Sequence, residues 1–426
     1  MGFTNDYKRK LNILIPYYRN KYLKETKDGK WQQIMFYMND ETKLPICSSK
    51  LYCGLEKQSM LVRDDIYNFA VTKLQKKAVE NTEWNQIIND TAYKLSALMD
   101  FRKEEESIYV LKSACRKLRP CKDILYYGEV LWLFEILCVY FIARNNMISE
   151  KDFYHLDAVT VVFENELKQL AMYYLFVYAN HHEDEKIAYI LDKYDYHASK
   201  LLPNQLFAMN EDLRNGKMLR VLDTGKELEA VFLKTENWIQ LYYLYTKLLS
   251  IYINLDLEMA EVYIKKMKYM LAENEELTLN QKYNGCMNLG TILLYAGKYE
   301  KSIECLKEAI KLSDIKLVRC AICICHAYRM LNRSIPSEYL EIDDITKGDT
   351  VDWIVYAFFH NFKVGDSENQ KKYIIKKVLP FLEINDKLYL KIVEEELEVL
   401  CENGKGYKAV YDFYAYIRKK TKENQR

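Results

Sequence analysis

The stretch of sequence that decides the fold is Tyr283–Asp314, YNGCMNLGTILLYAGKYEKSIECLKEAIKLSD. Its apolar residues recur every three or four positions, the spacing of a helix that buries one face. Gly297 stands between the two halves, and glycine commonly ends a helix because it adopts positive φ without strain. Small Gly290 lets a second helix approach closely. The stretch therefore predicts two packed helices joined by a tight turn. The buried face of the second helix should contain Ile303, Leu306, Ala309 and Ile310.

This helix pair resembles the tetratricopeptide repeat (TPR), a helical hairpin of about 34 residues. Gly290, Leu306 and Ala309 fall on matching positions, whereas Ser302 and Asp314 replace the Ala and Pro that are usual in the family. One such pair cannot bury its own apolar faces. The resemblance therefore implies further helix pairs stacked on either side.

The scarcity of helix breakers extends this expectation to the whole chain. Only 6 Pro and 13 Gly occur in 426 residues, and few breakers favour long helices with short connections. We therefore predict an all-α protein, with helices in pairs after residue 123. The predicted pairs are 124–145 with 151–164, 166–180 with 185–195, 203–215 with 217–233, 236–254 with 257–273, 280–296 with 300–312, 315–331 with 336–340, 350–364 with 368–382, and 385–402 with 406–420.

A second informative stretch lies near the N-terminus, at residues 46–58, ICSSKLYCGLEKQ. Ser48 is a plausible helix N-cap, because its hydroxyl can accept a hydrogen bond from a free backbone N–H of the first turn. Another helix should begin at Asp64 or Asp65. Upstream, residues 5–25 have one apolar stripe, although Pro16 either kinks this helix or marks its first turn.

The order of a helix, a short helix, the CS…LEK stretch and a further helix resembles an Xre-type helix-turn-helix (HTH) module. Such modules precede TPR repeats in peptide-sensing regulators of the Rgg and PlcR type. The resemblance implies that Ser48, Ser49 and Lys50 open the recognition helix and bind DNA. It also implies that Glu56 holds the module together. The sequence departs from the family at Gly54, which stands where an Arg is usual.

Charge and apolar patterning set the domain limits and the expected compartment. Residues 1–80 contain 15 Lys and Arg against 9 Asp and Glu, about +6, so the remainder is 1 − 6 = −5. A basic N-terminal part is typical of nucleic-acid binding. We predict a degenerate HTH domain at residues 1–80 and a TPR-like domain at residues 81–426. The 11 scattered Cys and the polar N-terminus indicate a cytoplasmic protein with reduced thiols. The apolar run 124–143 carries Glu129 and Glu135, which favours a buried helix over a membrane span.

The inner face of a TPR stack binds extended peptides, and it is lined by the first helix of each pair. Asn side chains can bond both groups of a peptide backbone, and Tyr provides rigid contact area. We therefore predict a short peptide as ligand. The predicted peptide-binding residues are Asn284, Met287, Asn288, Thr291, Tyr242, Tyr245, Tyr252, Arg319 and His326.

No sequence motif indicates catalysis. The chain has no GxxxxGK[ST], GxGxxG or GxSxG motif. His181 and His182 stand beside two acidic residues, but adjacent helical positions do not share a face. Cys320, Cys323 and Cys325 precede His326 without a second Cys pair at zinc-finger spacing. We predict no catalytic residue, no metal and no cofactor.

The resemblance implies that the protein is a homodimeric transcription regulator of the peptide-sensing, quorum-sensing type. Peptide binding to the TPR face would change the position of the HTH units on DNA. Two alternatives stay open. One is a TPR adaptor that binds a protein partner and not DNA. The other is a Rap-type antagonist of a response regulator, whose N-terminal helices act on that partner.

Overall fold

The computed structural model describes residues 2–182, 184–275, 277–312, 318–342, 348–362, 367–383, 386–401 and 407–424. Throughout these residues the structure is helical, without a strand, and it confirms the predicted all-α class. The helices are α1 (Asn5–Thr26), α2 (Ser49–Glu56), α3 (Asp64–Lys73), α4 (Thr82–Asp100), α5 (Glu104–Leu118), α6 (Leu125–Ile142), α7 (Glu150–Val159), α8 (Asn165–His182), α9 (Asp184–Lys193), α10 (Leu202–Arg214), α11 (Met218–Lys234), α12 (Trp238–Leu255), α13 (Leu257–Glu273), α14 (Leu279–Tyr295), α15 (Tyr299–Leu312), α16 (Val318–Met330), α17 (Ser337–Leu340), α18 (Thr350–Asn361), α19 (Ser367–Tyr373), α20 (Lys387–Cys401) and α21 (Tyr407–Asn424).

The chain forms two compact units, residues 1–221 and residues 222–426. The division falls inside α11. The boundary predicted at residue 80 lies within the first unit, because residues 1–80 pack directly on the helices that follow them.

Helix α6 is the centre of the first unit. It is apolar around its whole circumference, which is typical of a helix surrounded by others. By length and composition it is the one helix among the described residues that could cross a membrane, but 72% of its apolar window is buried inside the protein. Glu129 of this helix is also buried, at 5% exposed, with hydrogen-bond partners inside the unit. The burial agrees with the predicted core helix.

The N-terminal helices begin and end close to the predicted positions. Helix α1 runs continuously through Pro16, so the alternative in which the helix starts near Ile15 is wrong. Ser48 caps α2 as predicted, and its Oγ accepts a hydrogen bond from the Leu51 N–H at 3.2 Å. The short helix expected between the first helix and the CS…LEK stretch is instead two 3-10 segments, Gly29–Trp31 and Gln33–Phe36.

In the second unit, α12–α13 and α14–α15 are two successive helix pairs. The first helices start 279 − 238 = 41 residues apart, and the second helices start 299 − 257 = 42 residues apart. Between α14 and α15, Gly297 adopts φ +72°, as its place in the turn predicted. A Cβ added to Gly290 would lie 2.7 Å from Leu306 Cγ, so only glycine permits this close helix contact. The described part of the opening stretch ends at Leu312, and Asp314 lies outside the described residues.

Candidate functional site

The first candidate surface is the N-terminal end of α2. Ser48, Ser49 and Lys50 are all exposed in the cap and first turn of this helix. Lys50 forms no ion pair with any residue that the structure describes. A helix N-terminus with exposed hydroxyls and a free ammonium is suited to contact with phosphate groups. The three residues predicted to bind DNA therefore lie together and are accessible.

A buried ionic contact holds α2 against α1. Arg19 of α1 donates through Nε to Glu56 Oε1 at 2.7 Å and through Nη2 to Oε2 at 3.1 Å. Their side chains are only 9% and 10% exposed. Gln33 donates to the same carboxylate at 2.6 Å, and a further Arg19 nitrogen donates to the Trp31 carbonyl at 3.3 Å. Paired, hydrogen-bonded charges of this kind fix orientation. Glu56 thus joins three N-terminal segments, in keeping with the structural role expected for it, whereas Arg19 and Gln33 were not predicted.

The departure at Gly54 has a packing explanation. A Cβ at this position would lie 2.6 Å from Met60 Sδ and 2.8 Å from Met60 Cγ. Met60 is held there by its backbone, whose N–H donates to the Gly54 carbonyl and whose carbonyl accepts from Asn12 Nδ2 at 2.9 Å. Asn12 in turn accepts from the Tyr67 hydroxyl at 2.6 Å. The missing side chain at Gly54 therefore lets the α2–α3 connection pack on α2.

Residues 1–80 also pack against α6 and α7. The Tyr7 ring stacks on Tyr127 with centroids 6.2 Å apart. The Tyr18 hydroxyl donates to Glu129, and the other oxygen of that carboxylate bonds His155 Nε2 at 2.9 Å. His155 Nδ1 bonds the Tyr17 hydroxyl at 2.6 Å. These bonds fasten the N-terminal helix to the bundle, and none of them was visible in local sequence patterns.

The second candidate surface is on α14 and α16 in the second unit. Asn284 and Asn288 are exposed, and Thr291 and Arg319 are half-buried. The three α14 residues lie on one side of that helix, since positions three and four apart are neighbours. Asn288 Nδ2 donates to the Tyr242 hydroxyl at 2.9 Å, which joins α14 to α12. Four of the predicted peptide-binding residues are therefore accessible on two helices in contact.

Five of the predicted peptide-binding residues are buried in the second unit. Tyr242 is 1% exposed, and the Met287 side chain packs against Cys320. Tyr245 and Tyr252 face α13, where their rings contact Tyr263 at centroid distances of 5.2 Å and 5.3 Å. The fifth, His326, has no exposed surface.

His326 is the centre of an ionic cluster. Its Nε2 bonds Glu395 Oε2 at 2.7 Å and its Nδ1 bonds Glu396 Oε1 at 2.8 Å. Arg329 donates to the other oxygen of Glu396 at 2.8 Å, and Lys391 lies 2.8 Å from Glu395. Burial lowers the pKa of His326, but the bonds to the two carboxylates raise it more, so the net pKa lies above its usual value. The same contacts lower the pKa of Glu395 to about 2 despite its burial.

The residues considered for metal binding have other contacts. His181 and His182 bond the Val177 and Tyr178 carbonyls of their own helix at 2.8 Å each; Glu183 lies outside the described residues. Cys320 is buried, and burial raises the pKa of its thiol to about 12. Within the described ranges there is no group of three or more His, Cys, Asp or Glu that could hold a metal ion.

No family model, curated protein or solved structure matches this chain.

Proposed function

We propose that the protein is a cytoplasmic, DNA-binding transcription regulator with an HTH module in residues 1–80 and a TPR-like helical repeat domain after it. The observation that carries the proposal is the exposed tip of α2, where Ser48, Ser49 and Lys50 lie on a helix that the buried Arg19–Glu56 pair holds in place. An exposed cationic helix start on a rigid base is what major-groove recognition requires. By the same resemblance, the regulator would act as a homodimer.

In this proposal, a short peptide binds the accessible residues of α14 and α16. Asn284, Asn288 and Thr291 offer amide and hydroxyl groups on one side of α14, and such groups can pair with the N–H and C=O groups of an extended backbone. Arg319 adds a cation for a peptide carboxylate. It already donates to Asp352 at 3.3 Å and to the Tyr389 hydroxyl at 3.2 Å, so it is preorganised.

A second function, a protein-binding adaptor without DNA binding, is favoured by one observation. Residues 1–80 are fastened to α6 and α7 through Tyr7, Tyr18 and His155. A segment so tightly built into a helical bundle can serve as the cap of that bundle, because a terminal repeat needs its outer apolar face covered.

The experiment that tests the proposal is fluorescence anisotropy of the full-length protein on DNA selected from a random duplex library. Binding should weaken with salt, because protein cations displace counterions from the phosphates. Lys50→Glu should reduce affinity about tenfold and lower the salt slope by about 1, as expected for one lost phosphate contact with added repulsion.

The matched control is Lys94→Glu, the same charge reversal at an exposed position of α4. It should leave affinity within about twofold, since it lies outside the N-terminal module. If the wild-type protein binds no DNA even at low salt, the DNA-binding proposal is wrong and the adaptor function is preferred. If both variants weaken binding equally, the first turn of α2 is not the DNA contact and that part of the proposal is wrong.

A further inference from the structure

A cleft in the second unit, separate from the polar surface of α14 and α16, lies between the end of α11, the start of α12 and the second half of α13. Its volume is about 660 Å³, within the range of roughly 300–1,000 Å³ that small-molecule sites occupy. The apolar lining consists of Leu233, Trp238, Leu241, Tyr245, Tyr269 and Met270.

Helix periodicity explains why these side chains meet. Trp238, Leu241 and Tyr245 recur at i, i+3 and i+7, so they occupy one side of α12. Leu241 and Tyr245 are buried and form the floor. Trp238 is half-buried, and Tyr269 on α13 is 73% exposed. Two aromatic side chains therefore stand at the walls of the cleft, where a ligand can contact them.

The charges at the two ends of the cleft differ. At one end, Lys266 donates to Glu229 at 2.7 Å and lies over the rings of Tyr245 and Tyr263, at 5.3 Å and 4.7 Å from their centroids. Burial raises the pKa of Glu229, but hydrogen bonds from Lys266 and both tyrosines outweigh it and lower that pKa overall. The charges at this end of the cleft therefore compensate each other.

The other end carries the carboxylates of Glu273 and Glu275, both exposed. Across the described residues neither forms an ion pair. Glu273 lies two helical turns from Lys266 on the same face of α13, about 10 Å along the axis. The cleft thus has an aromatic middle, one neutralised end and one end with two free negative charges.

We propose that this cleft binds an organic cation with an apolar, aromatic body. The body would lie between Trp238 and Tyr269, and its positive centre would face Glu273 and Glu275. Aromatic faces attract cations through the ring quadrupole, and Lys266 over Tyr245 and Tyr263 already shows this contact in the same cleft. This ligand site is independent of the proposed DNA binding.

A neighbouring cleft on the other side of α13 has the opposite charge, which supports the preference of the first cleft for a cation. It is lined by Lys268, Lys282, Lys307 and Lys311, with Glu304 and Glu308 as its acidic residues, so its rim has a net positive charge. Side chains on opposite faces of one helix therefore separate an acidic cleft from a basic one. A cation should enter the first and be repelled by the second.

The test uses tetraphenylphosphonium and tetraphenylborate, two ions of the same shape and opposite charge. Isothermal titration calorimetry on the full chain should show saturable binding of tetraphenylphosphonium at one site, with tetraphenylborate at least tenfold weaker. Tetraphenylphosphonium should also change the tryptophan fluorescence, and Trp238→Phe should remove most of that change among the 5 tryptophans of the chain.

Variants of the cleft residues test whether tetraphenylphosphonium binds in this cleft. Tyr269→Ala should weaken tetraphenylphosphonium binding at least fivefold, and Glu273→Gln combined with Glu275→Gln should weaken it at least threefold. These residues are exposed, so folding should be unchanged. Tyr411→Ala, at a residue 72% exposed on α21, is the matched control and should have no effect. The proposal is overturned if tetraphenylborate binds as tightly as the cation, if binding is undetectable at millimolar cation, or if the cleft variants bind like the control.

Discussion

The buried cluster at His326 makes the stability of the second unit depend on pH in a defined direction. Both ring nitrogens of His326 face carboxylate oxygens, at 2.7 Å and 2.8 Å. A carboxylate only accepts hydrogen bonds, so both nitrogens must carry protons to satisfy this geometry. We therefore predict that the ring is a cation in the folded protein, in agreement with the raised direction of its pKa.

The two titrations set the limits of the stable range. A histidine whose pKa is higher in the folded state contributes stability that is complete below its unfolded pKa of about 6.5 and is lost as pH rises through the folded pKa. Glu395 shows the opposite behaviour, because its folded pKa of about 2 lies below the unfolded value. Its contribution is complete above its unfolded pKa of about 4.3 and is lost as pH falls towards 2. The cluster is therefore most stabilising between these two limits.

The magnitude can be bounded. One proton changes the free energy of unfolding by at most about 1.4 kcal/mol per pH unit. Replacing His326 by Gln removes the ring from between two carboxylates, one of which is only 1% exposed. Breaking a buried ion pair by removing one partner costs roughly 3–5 kcal/mol. We expect a loss of this size at pH 5.5, diminishing by up to about 1.4 kcal/mol per unit above pH 6.5, because the unfolded wild-type chain then releases the histidine proton that the folded ring retains.

The assay is urea unfolding of wild type and His326→Gln at pH 5.5, 7 and 8.5, followed by circular dichroism. The difference between the two proteins cancels the titration of groups outside this cluster. His360→Gln is the control, because that ring is exposed and bonds the Leu340 backbone carbonyl at 2.6 Å. A difference for His326→Gln that is constant with pH, or grows as pH rises, would refute the assignment of a protonated ring. NMR of the 6 histidines provides a direct measure of that proton.

Two further variants test contacts that hold helices together. Gly290→Ala should destabilise the second unit by roughly 1–2 kcal/mol, because overpacking against Leu306 costs about 1–3 kcal/mol and the helix-propensity gain of about 1 kcal/mol only partly offsets it. The measurement is thermal unfolding, with Gly297→Ala as the comparison. That variant is strained by its positive φ but meets no close atom, so the comparison separates a steric clash from backbone strain. Glu56→Gln should destabilise residues 1–80 by roughly 3 kcal/mol by leaving the 9% exposed Arg19 side chain without its carboxylate. Increased amide hydrogen exchange confined to α1 and α2 would confirm this, and unchanged exchange there would contradict it.

Local signals made most of the helices predictable. Ser48 and Gly297 were predicted correctly because caps and positive-φ turns depend on neighbouring residues only. The burial of His326 could not be read in this way. Its partners are 69 and 70 residues away in sequence, and α16 is buried on nearly every side, so helical periodicity gave no face for it.

The tyrosines of α12 also show that local sequence patterns do not predict which helix will cover a side chain. Sequence spacing put Tyr242, Tyr245 and Tyr252 on one helix, and all three were predicted to line a peptide surface. In the structure Tyr242 bonds Asn288 of α14, whereas the other two pack on Tyr263 of α13. Periodicity ranks positions around a helix, but which neighbour covers each side depends on the connections that follow. The cleft at Trp238 was missed for this reason, since three separate helices build it.

Gly54 bears most directly on the proposed DNA binding. Where the resembling family has an Arg near the end of its recognition helix, this chain has a glycine in contact with Met60. Restoring a side chain there would displace Met60, so in the proposed DNA binding α2 would contact DNA through its exposed first turn. Specificity would then depend on Ser48, Ser49 and Lys50 alone, and three short contacts read few base pairs. The protein should therefore bind DNA with a strong salt dependence and modest sequence preference, unless a second copy doubles the contacts on a symmetric site.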